Sequence, residues 1–210
     1  MTDFIIVTDE QDASLGAFFK VCKDNIKSIF QDQIFIFHEI DSTKLKNDIY
    51  ITQKIKGFTN PFVFVAFTHG SKDARSLIGN QDAPYISLGI NHNIFPDSFV
   101  YCFSCHIGNT LGKEIVNSGA RCFVGHGKTV FTNIYPKWQK LFLKPINTFC
   151  LRLKENNTIN TCLKLKKEAY TSIIDDIYAT DYFTASHLLE NRDGLVLYGD
   201  GDCTITDFNH

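Results

Sequence analysis

Cys105 and His69 are the two residues whose types and positions could do chemistry together. Cys105 follows the apolar stretch 99–103 and precedes a polar turn and a helical pattern, while His69 follows the apolar stretch 62–67 and precedes Gly70. A thiol attacks a carbonyl carbon when a histidine accepts its proton and N–H groups bind the oxyanion. We therefore predict a Cys–His site, with the backbone N–H groups of Gly70 and Cys105 as oxyanion donors. The start of the following helix is expected to favour the thiolate.

Three other chemistries could use the same cysteine. Cys102-Phe-Ser-Cys105 is a C-x-x-C pair, and with His106 it matches the C-x-x-C-H pattern of haem attachment. Haem attachment needs an exported protein. A thioredoxin-type pair needs both thiols in the turn, but Cys102 lies within the predicted strand and points away from the face of Cys105. A zinc site could add Cys122 or His126, but no second paired spacing completes a tetrahedral set. We expect neither a metal nor another cofactor.

Short apolar strands alternate with helical patterns along the chain. Continuously apolar strands are typical of a parallel sheet that is covered on both faces. The pattern predicts a single α/β domain over residues 1–210, a three-layer sandwich with a mostly parallel central sheet and helices on both faces. The predicted strands are 4–7, 34–37, 62–67, 99–103, 121–125 and 194–198, and the predicted helices are 15–30, 43–56, 109–118 and 136–189 with a break near 156–157.

Sites in such sheets form at the carboxyl ends of strands. If the third and fourth strands are neighbours, His69 and Cys105 face each other across one crevice. His126 also follows a strand, so the residues alone leave it open as the alternative base.

Composition excludes some classes of partner. The 210 residues include 21 basic and 23 acidic side chains, so no electrostatic footprint for nucleic acid is visible. No apolar run approaches the ~20 residues that span a bilayer, and the first residues carry acids where a secretory signal has a basic lead. We expect a cytoplasmic protein without membrane or nucleic-acid partners. Its seven cysteines should be reduced, with four as small core residues: Cys22, Cys122, Cys150 and Cys162.

The two strand ends resemble the dyad of the caspase-like (clan CD) cysteine peptidases, since FVFVAFTHG is followed by FVYCFSCHIG. Two further stretches, GNTLGKEIVNSGARCFVGHGKTV and GLVLYGDGDCTI, are similar to the bacterial CHAT and gingipain branch, with Gly201 where proline is usual. The resemblance implies that Cys105 is the nucleophile and that His69 is its proton partner, because the histidine of this dyad precedes the cysteine. It also implies Gly70 and Cys105 as oxyanion donors and requires no third, acidic member.

One position departs from the family pattern. Metacaspase-like members have an aspartate two residues before the cysteine that helps to bind a basic residue, and this chain has Phe103 there. Our candidate substrate-binding acids are therefore Asp9, at the exit of the first strand, and Asp73 and Asp82, in the polar connection 71–98. Any of them would favour cleavage after Arg or Lys.

The expected function is that of a cysteine endopeptidase acting on a protein or peptide substrate, with regulation by a separate protein partner. The alternative is a catalytically silent caspase-like binding or scaffold module.

Overall fold

The computed structural model describes residues 1–32, 34–46, 48–79 and 82–210, apart from the side chain of Pro136. Its strands are Thr2–Thr8 (β1), Phe35–Ile40 (β2), Phe62–Phe67 (β3), His69–Gly70 (β4), Ser76–Ile78 (β5), Pro84–Ser87 (β6), Phe99–Phe103 (β7), Cys122–His126 (β8) and Leu195–Gly199 (β9). A six-stranded sheet has the order β2-β1-β3-β7-β8-β9. All its neighbouring strands are parallel except β9, which is antiparallel to β8. The strands β4, β5 and β6 form a separate antiparallel sheet.

Helices cover both faces of the large sheet. They are Gly16–Ile29 (α1), Asp48–Lys56 (α2), Leu111–Asn117 (α3), Pro136–Lys154 (α4), Ile159–Ile177 (α5) and Tyr182–Asp193 (α6). One apolar cluster joins the sheet to α1, α4, α5 and α6, and the other joins it to α2, α3 and the small sheet. The prediction of an α/β fold with a mostly parallel, doubly covered sheet is confirmed.

Strand alternation decides which core each side chain enters. Phe67 and Phe103 pack in the cluster of α1 and α4, whereas Ala66 and Cys102 pack in the opposite cluster. Successive side chains of a strand point to opposite faces, so the pattern follows directly from the backbone. The four cysteines predicted to be core residues, Cys22, Cys122, Cys150 and Cys162, are all buried.

The predicted helical region 136–189 consists of three helices because two capping residues interrupt it. The side chain of Thr158 accepts a hydrogen bond from the Thr161 N–H at the start of α5, and the side chain of Asp181 accepts one from the Thr184 N–H at the start of α6. Such caps satisfy N–H groups that have no partner within the helix. None of the described helices combines the length and apolar composition needed to cross a membrane.

The order of the strands creates a crevice at one edge of the sheet. From β1 the chain goes to β2 on one side and then to β3 on the other. In open α/β sheets, ligands bind beyond the carboxyl ends of the strands where the order reverses. The strands β1, β3 and β7 are consecutive neighbours there, so the residues that follow them are brought together.

Candidate active site

The candidate site is built from the segments that follow β1, β3 and β7. Asp12 lies after β1, His69 begins β4 directly after β3, and Cys105 lies in the turn after β7. The hydroxyl of Ser104 donates a hydrogen bond to the Thr68 carbonyl oxygen at 2.8 Å, which joins the ends of β3 and β7. His69 and Cys105 line the same pocket. The structure thus brings together the two residues that the sequence singled out.

Asp12 holds the imidazole of His69. Its Oδ2 lies 3.1 Å from Nε2 of His69, and the edge of the Phe19 ring packs on the imidazole with centroids 5.8 Å apart. An ionised carboxylate can only accept, so Nε2 is the protonated nitrogen and Nδ1 is left as the acceptor. This third, acidic residue was not expected from the resemblance.

The Asp12 carboxylate also bonds the turn that precedes α1. Its Oδ1 accepts hydrogen bonds from the backbone N–H groups of Ser14 (2.9 Å) and Leu15 (2.6 Å) and from the Ser14 hydroxyl (2.7 Å). Burial acts to raise the pKa of Asp12, but the bonds from Ser14, Leu15 and His69 outweigh it and lower the pKa to about 2. Asp12 is therefore ionised at any pH at which a histidine can act as a base.

The Cys105 thiol is half-buried and faces the backbone of Val130. The Val130 N–H donates to Sγ at 3.3 Å, and the Val130 carbonyl oxygen lies 3.9 Å from the same sulfur. Burial raises the pKa of Cys105, while the N–H groups of Val130 and of Cys105 itself act to lower it. Burial has the larger effect, so the resting form at neutral pH is the thiol. No direct hydrogen bond joins Sγ to His69, and such bonds commonly form only when substrate is bound.

The expected helix start beside the thiol is replaced by a short turn. A single 3-10 turn, Ile107–Asn109, follows Cys105, and α3 begins only at Leu111. The start of α3 is therefore separated from Cys105 by this turn, and the groups that act on the pKa of the thiol are its own N–H and that of Val130. The Val130 N–H therefore has the effect on the pKa of Cys105 that was expected of a helix start.

Gly70 is packed directly against the turn that contains Cys105. A Cβ atom at position 70 would lie 2.0 Å from the Cys105 carbonyl oxygen and 2.7 Å from the Ile107 side chain, so only glycine fits. Gly70 pairs with Leu77, and the next residue, Ser71, donates its N–H to Ser76 at 2.9 Å. Antiparallel pairs alternate between bonded and unbonded, which indicates that the Gly70 N–H points away from β5. The N–H of Cys105 has no backbone acceptor within the described ranges.

Asp9 is a fully buried acid at the end of β1. The Ser42 hydroxyl lies beside it, yet neither carboxyl oxygen has a partner with hydrogen-bond geometry among the described residues. Burial raises the pKa of Asp9; the like charge of Asp12 adds to the rise and His69 opposes it. Asp9 is therefore close to the dyad and keeps unused acceptor sites.

Asp73 and Asp82 lie outside the pocket that contains Cys105. Asp73 is exposed, and its Oδ1 accepts from the Ser71 hydroxyl (2.6 Å) and the Arg75 N–H (3.1 Å) in the turn between β4 and β5. Asp82 is exposed, with a positive φ of 57°, just before β6. Asp9 does not line this pocket either, but its carboxyl group interacts electrostatically with Asp12 and His69.

The other residues of the C-x-x-C-H pattern are directed elsewhere. Cys102 is buried in the cluster on the opposite face of the sheet, so it cannot pair with Cys105. His106 has a left-handed backbone conformation, and its Nε2 lies 3.2 Å from the Thr129 hydroxyl. No group of three or more potential metal-ligating side chains occurs in the part of the chain that the structure describes.

His126, the alternative base, is enclosed in the core. Its ring packs edge-on against Phe103 with centroids 5.4 Å apart, and burial holds its pKa well below the ordinary value. It does not line the pocket of Cys105. Phe103, at the position of the metacaspase aspartate, is itself a buried core residue.

Comparison with known proteins identifies the architecture. No family model and no curated protein matches the sequence. The structure is similar to that of caspase-1 from Spodoptera frugiperda, with a TM-score of 0.54 and 12% sequence identity over 94% of this chain and 85% of that one. The chain has a caspase-like fold. At this identity the likeness concerns the fold alone.

Two components of the site were missed by reasoning from the sequence. Asp12 follows the first strand, and a place beyond the carboxyl end of a strand is a signal that could have found it. Val130 contributes only its backbone, so its side chain gives no signal.

Proposed function

We propose that this protein is a cysteine endopeptidase in which Cys105 is the nucleophile, His69 the base and Asp12 the residue that orients His69. The observation that supports this most directly is the Asp12–His69 hydrogen bond at the strand ends, with the imidazole and the thiol in one pocket. A nucleophile, a base and a group that orients the base are the requirements of covalent acyl transfer.

In the first step, Nδ1 of His69 removes the proton from Sγ of Cys105 as the sulfur attacks the carbonyl carbon of the scissile peptide bond. General-base assistance is needed because burial keeps Cys105 in the thiol form. The developing oxyanion accepts hydrogen bonds from the N–H groups of Gly70 and Cys105. The Asp12 carboxylate stabilises the imidazolium that forms.

In the second step, the imidazolium gives its proton to the leaving amine, the C–N bond breaks, and a thioester remains on Cys105. Water then attacks the thioester, with His69 as base, and releases the carboxylic acid product and the thiol. Both half-reactions use the same two residues, so the cycle returns the resting enzyme without a cofactor.

Asp9 is our proposal for the residue that selects the substrate. Its carboxyl oxygens lack partners of hydrogen-bond geometry, and a guanidinium or ammonium group would satisfy them. Cleavage after Arg or Lys follows from this assignment. Asp9 is 0% exposed, so the neighbouring segments must move to admit the basic side chain.

We further propose that residues 1–210 form a single peptidase domain of the CHAT and gingipain branch, working in the cytoplasm under the control of a protein partner. The supporting features are the GARCFVGHG and GLVLYGDG stretches; the first contains β8, the neighbour of β7, and the second contains β9, the neighbour of β8. A closed Asp9 site is consistent with a protein that requires activation.

The test is hydrolysis of fluorogenic peptides that end in Arg or Lys, with labelling by a peptide-derived thiol-reactive probe. Cys105→Ala and His69→Ala should each abolish hydrolysis, and the probe should label Cys105 alone. Cys102→Ala is the matched control, because Cys102 lies on β7, the strand that leads to Cys105, and is buried in the core on the opposite face of the sheet. His126→Ala serves in the same way for the histidine. Both controls should keep most of the activity.

Retained hydrolysis in Cys105→Ala would overturn the mechanism. Slow and equal labelling of several cysteines, without hydrolysis of any peptide, would favour the scaffold alternative.

A further inference from the structure

The segment Gly127–Thr132 passes over the Cys105 turn between β8 and α4. At its beginning the Gly127 carbonyl oxygen accepts from Asn109 at 2.7 Å, and the Lys128 carbonyl oxygen accepts from the His106 N–H at 3.0 Å. Val130 then donates its N–H to the Cys105 sulfur. The segment has no helix or strand of its own, so its position depends on such contacts.

Asn191 of α6 fixes the far part of this segment. Its Oδ1 accepts the Phe131 N–H at 2.8 Å, and its Nδ2 donates to the Phe131 carbonyl oxygen at 2.7 Å. One side-chain amide therefore satisfies both polar groups of a single residue, as a neighbouring strand would. One helical turn earlier, the His187 ring stacks on the Phe131 ring with centroids 4.1 Å apart and planes 4° from parallel.

The pairing is rigid because Asn191 is fully buried. Breaking the pair would leave the buried amide of Asn191 without these partners, which costs free energy. Phe131 directly follows Val130, so fixing its peptide groups restricts the orientation of the adjacent Val130 N–H.

We propose that Asn191 is a positioning residue: by clamping the backbone of Phe131 it holds the Val130 N–H against Sγ of Cys105, where it stabilises the thiolate as the sulfur loses its proton. Asn191 touches neither the thiol nor a substrate in this role and acts through the backbone of the Gly127–Thr132 segment. This assignment rests on the proposed function, in which the Cys105 thiolate is the attacking group.

The other titratable groups near the Cys105 thiol belong to other parts of the structure. His69 faces the pocket from β4, with Asp12 behind it from the loop before α1. His106 is turned to Thr129. Asn191 makes its hydrogen bonds to the Phe131 backbone and not to His69, Asp12 or His106, so a change in thiol ionisation would be transmitted by the segment.

The experiment measures alkylation of Cys105 by iodoacetamide as a function of pH, read as the modified Cys105 peptide by mass spectrometry. Asn191→Leu keeps the size of the side chain and removes both hydrogen bonds, and Asn191→Ala provides a second variant if the leucine is not accommodated. In either variant the pH at half-maximal rate should rise by about one unit, the size expected when a charge-assisted hydrogen bond is lost. Hydrogen exchange of the 127–132 amides should accelerate at least about tenfold.

Asn147→Leu is the matched control. Asn147 pairs with Asn25 between α4 and α1 at 3.2 Å and does not line the pocket, so its loss should leave the alkylation profile unchanged. A merely structural role of Asn191 would lower the melting temperature of a folded variant and leave its alkylation profile at the wild-type pH, and that result would overturn the proposal. The assay uses no peptide substrate, so an inactive wild-type protein would refute the proposed function without affecting this measurement.

Discussion

Replacing Asp12 by Asn tests the contact between Asp12 and His69, which the sequence did not predict. Asn keeps an oxygen that can accept the Ser14 and Leu15 N–H groups, so the turn before α1 keeps these hydrogen bonds. It removes the negative charge 3.1 Å from Nε2 of His69. An amide can also present an N–H to Nε2, which would favour the tautomer with its proton on Nδ1, the nitrogen that should accept the Cys105 proton.

The size of the effect follows from distance and exposure. The side chains of His69 and Asp12 are 34% and 20% exposed, so an effective dielectric constant of about 40 is appropriate, between that of water and the value of ~20 near protein surfaces. Over 3.1 Å the attraction between Asp12 and an imidazolium is then about 2.7 kcal/mol. Because each 1.36 kcal/mol is a factor of ten in rate, kcat should fall about 100-fold while KM changes little.

The assay is steady-state hydrolysis of the best peptide substrate by the wild type, Asp12→Asn and Asp12→Ala. The Ala variant should also lose about 1 kcal/mol of stability, because it lacks the hydrogen bonds to the turn before α1, whereas the Asn variant should melt near the wild-type temperature. Asp24→Asn is the control, since Asp24 lies on α1 and forms an ion pair with the exposed Lys20. An Asp12→Asn enzyme with kcat within twofold of wild type would show that Asp12 does not act on His69 during the reaction.

Three further predictions concern single side chains. Gly70→Ala should destabilise the protein by about 1–3 kcal/mol and lower kcat/KM at least tenfold, because its Cβ would overlap the Cys105 carbonyl. Thermal unfolding and peptide hydrolysis should be compared with those of Gly57→Ala, since position 57 is less crowded. Burial lowers the pKa of Lys166 to about 7 from 10.5, so at this residue the unfolded chain binds more protons between these values, and Lys166 by itself should add about 2 kcal/mol of stability from pH 7 to 9. The buried cysteines, whose pKa values burial raises, act in the opposite direction, so the contribution of Lys166 is read by urea unfolding at both pH values as the difference between the wild type and Lys166→Met. The same pH dependence in both proteins would contradict the assignment. Asp9→Asn should reduce kcat/KM for peptides ending in Arg or Lys about 10- to 100-fold while sparing peptides with neutral residues there, and an unchanged ratio between the two peptide classes would refute the role of Asp9.

Much of the fold could be predicted because apolar periodicity is a local property. The continuously apolar stretches at β3 and β7 require burial on both faces, and their polar ends at His69 and Cys105 can belong only to the edge of the sheet. The polar connection 71–98 was harder, because its strands β5 and β6 are short and gain their stability from pairing with each other and with β4.

The pKa of the nucleophile could not be predicted in the same way. The sequence places a helical pattern after Cys105, but the distance from the sulfur to the helix terminus depends on the turn between them. Burial and the backbone of Val130, which lies far along the chain, determine the ionisation of the thiol instead.

The sequence by itself determined the α/β class, the strand ends that bear His69 and Cys105, and the opposite orientation of Cys102, because each depends on neighbouring residues and on the two-residue period of a strand. The tertiary structure alone decided that Asp12 contacts His69, that His126 is enclosed, and that Asn191 clamps the segment over the thiol. Those contacts join residues far apart in the chain, and the order of strands and the packing of α6 fix them. Local patterns contain no information about such distances.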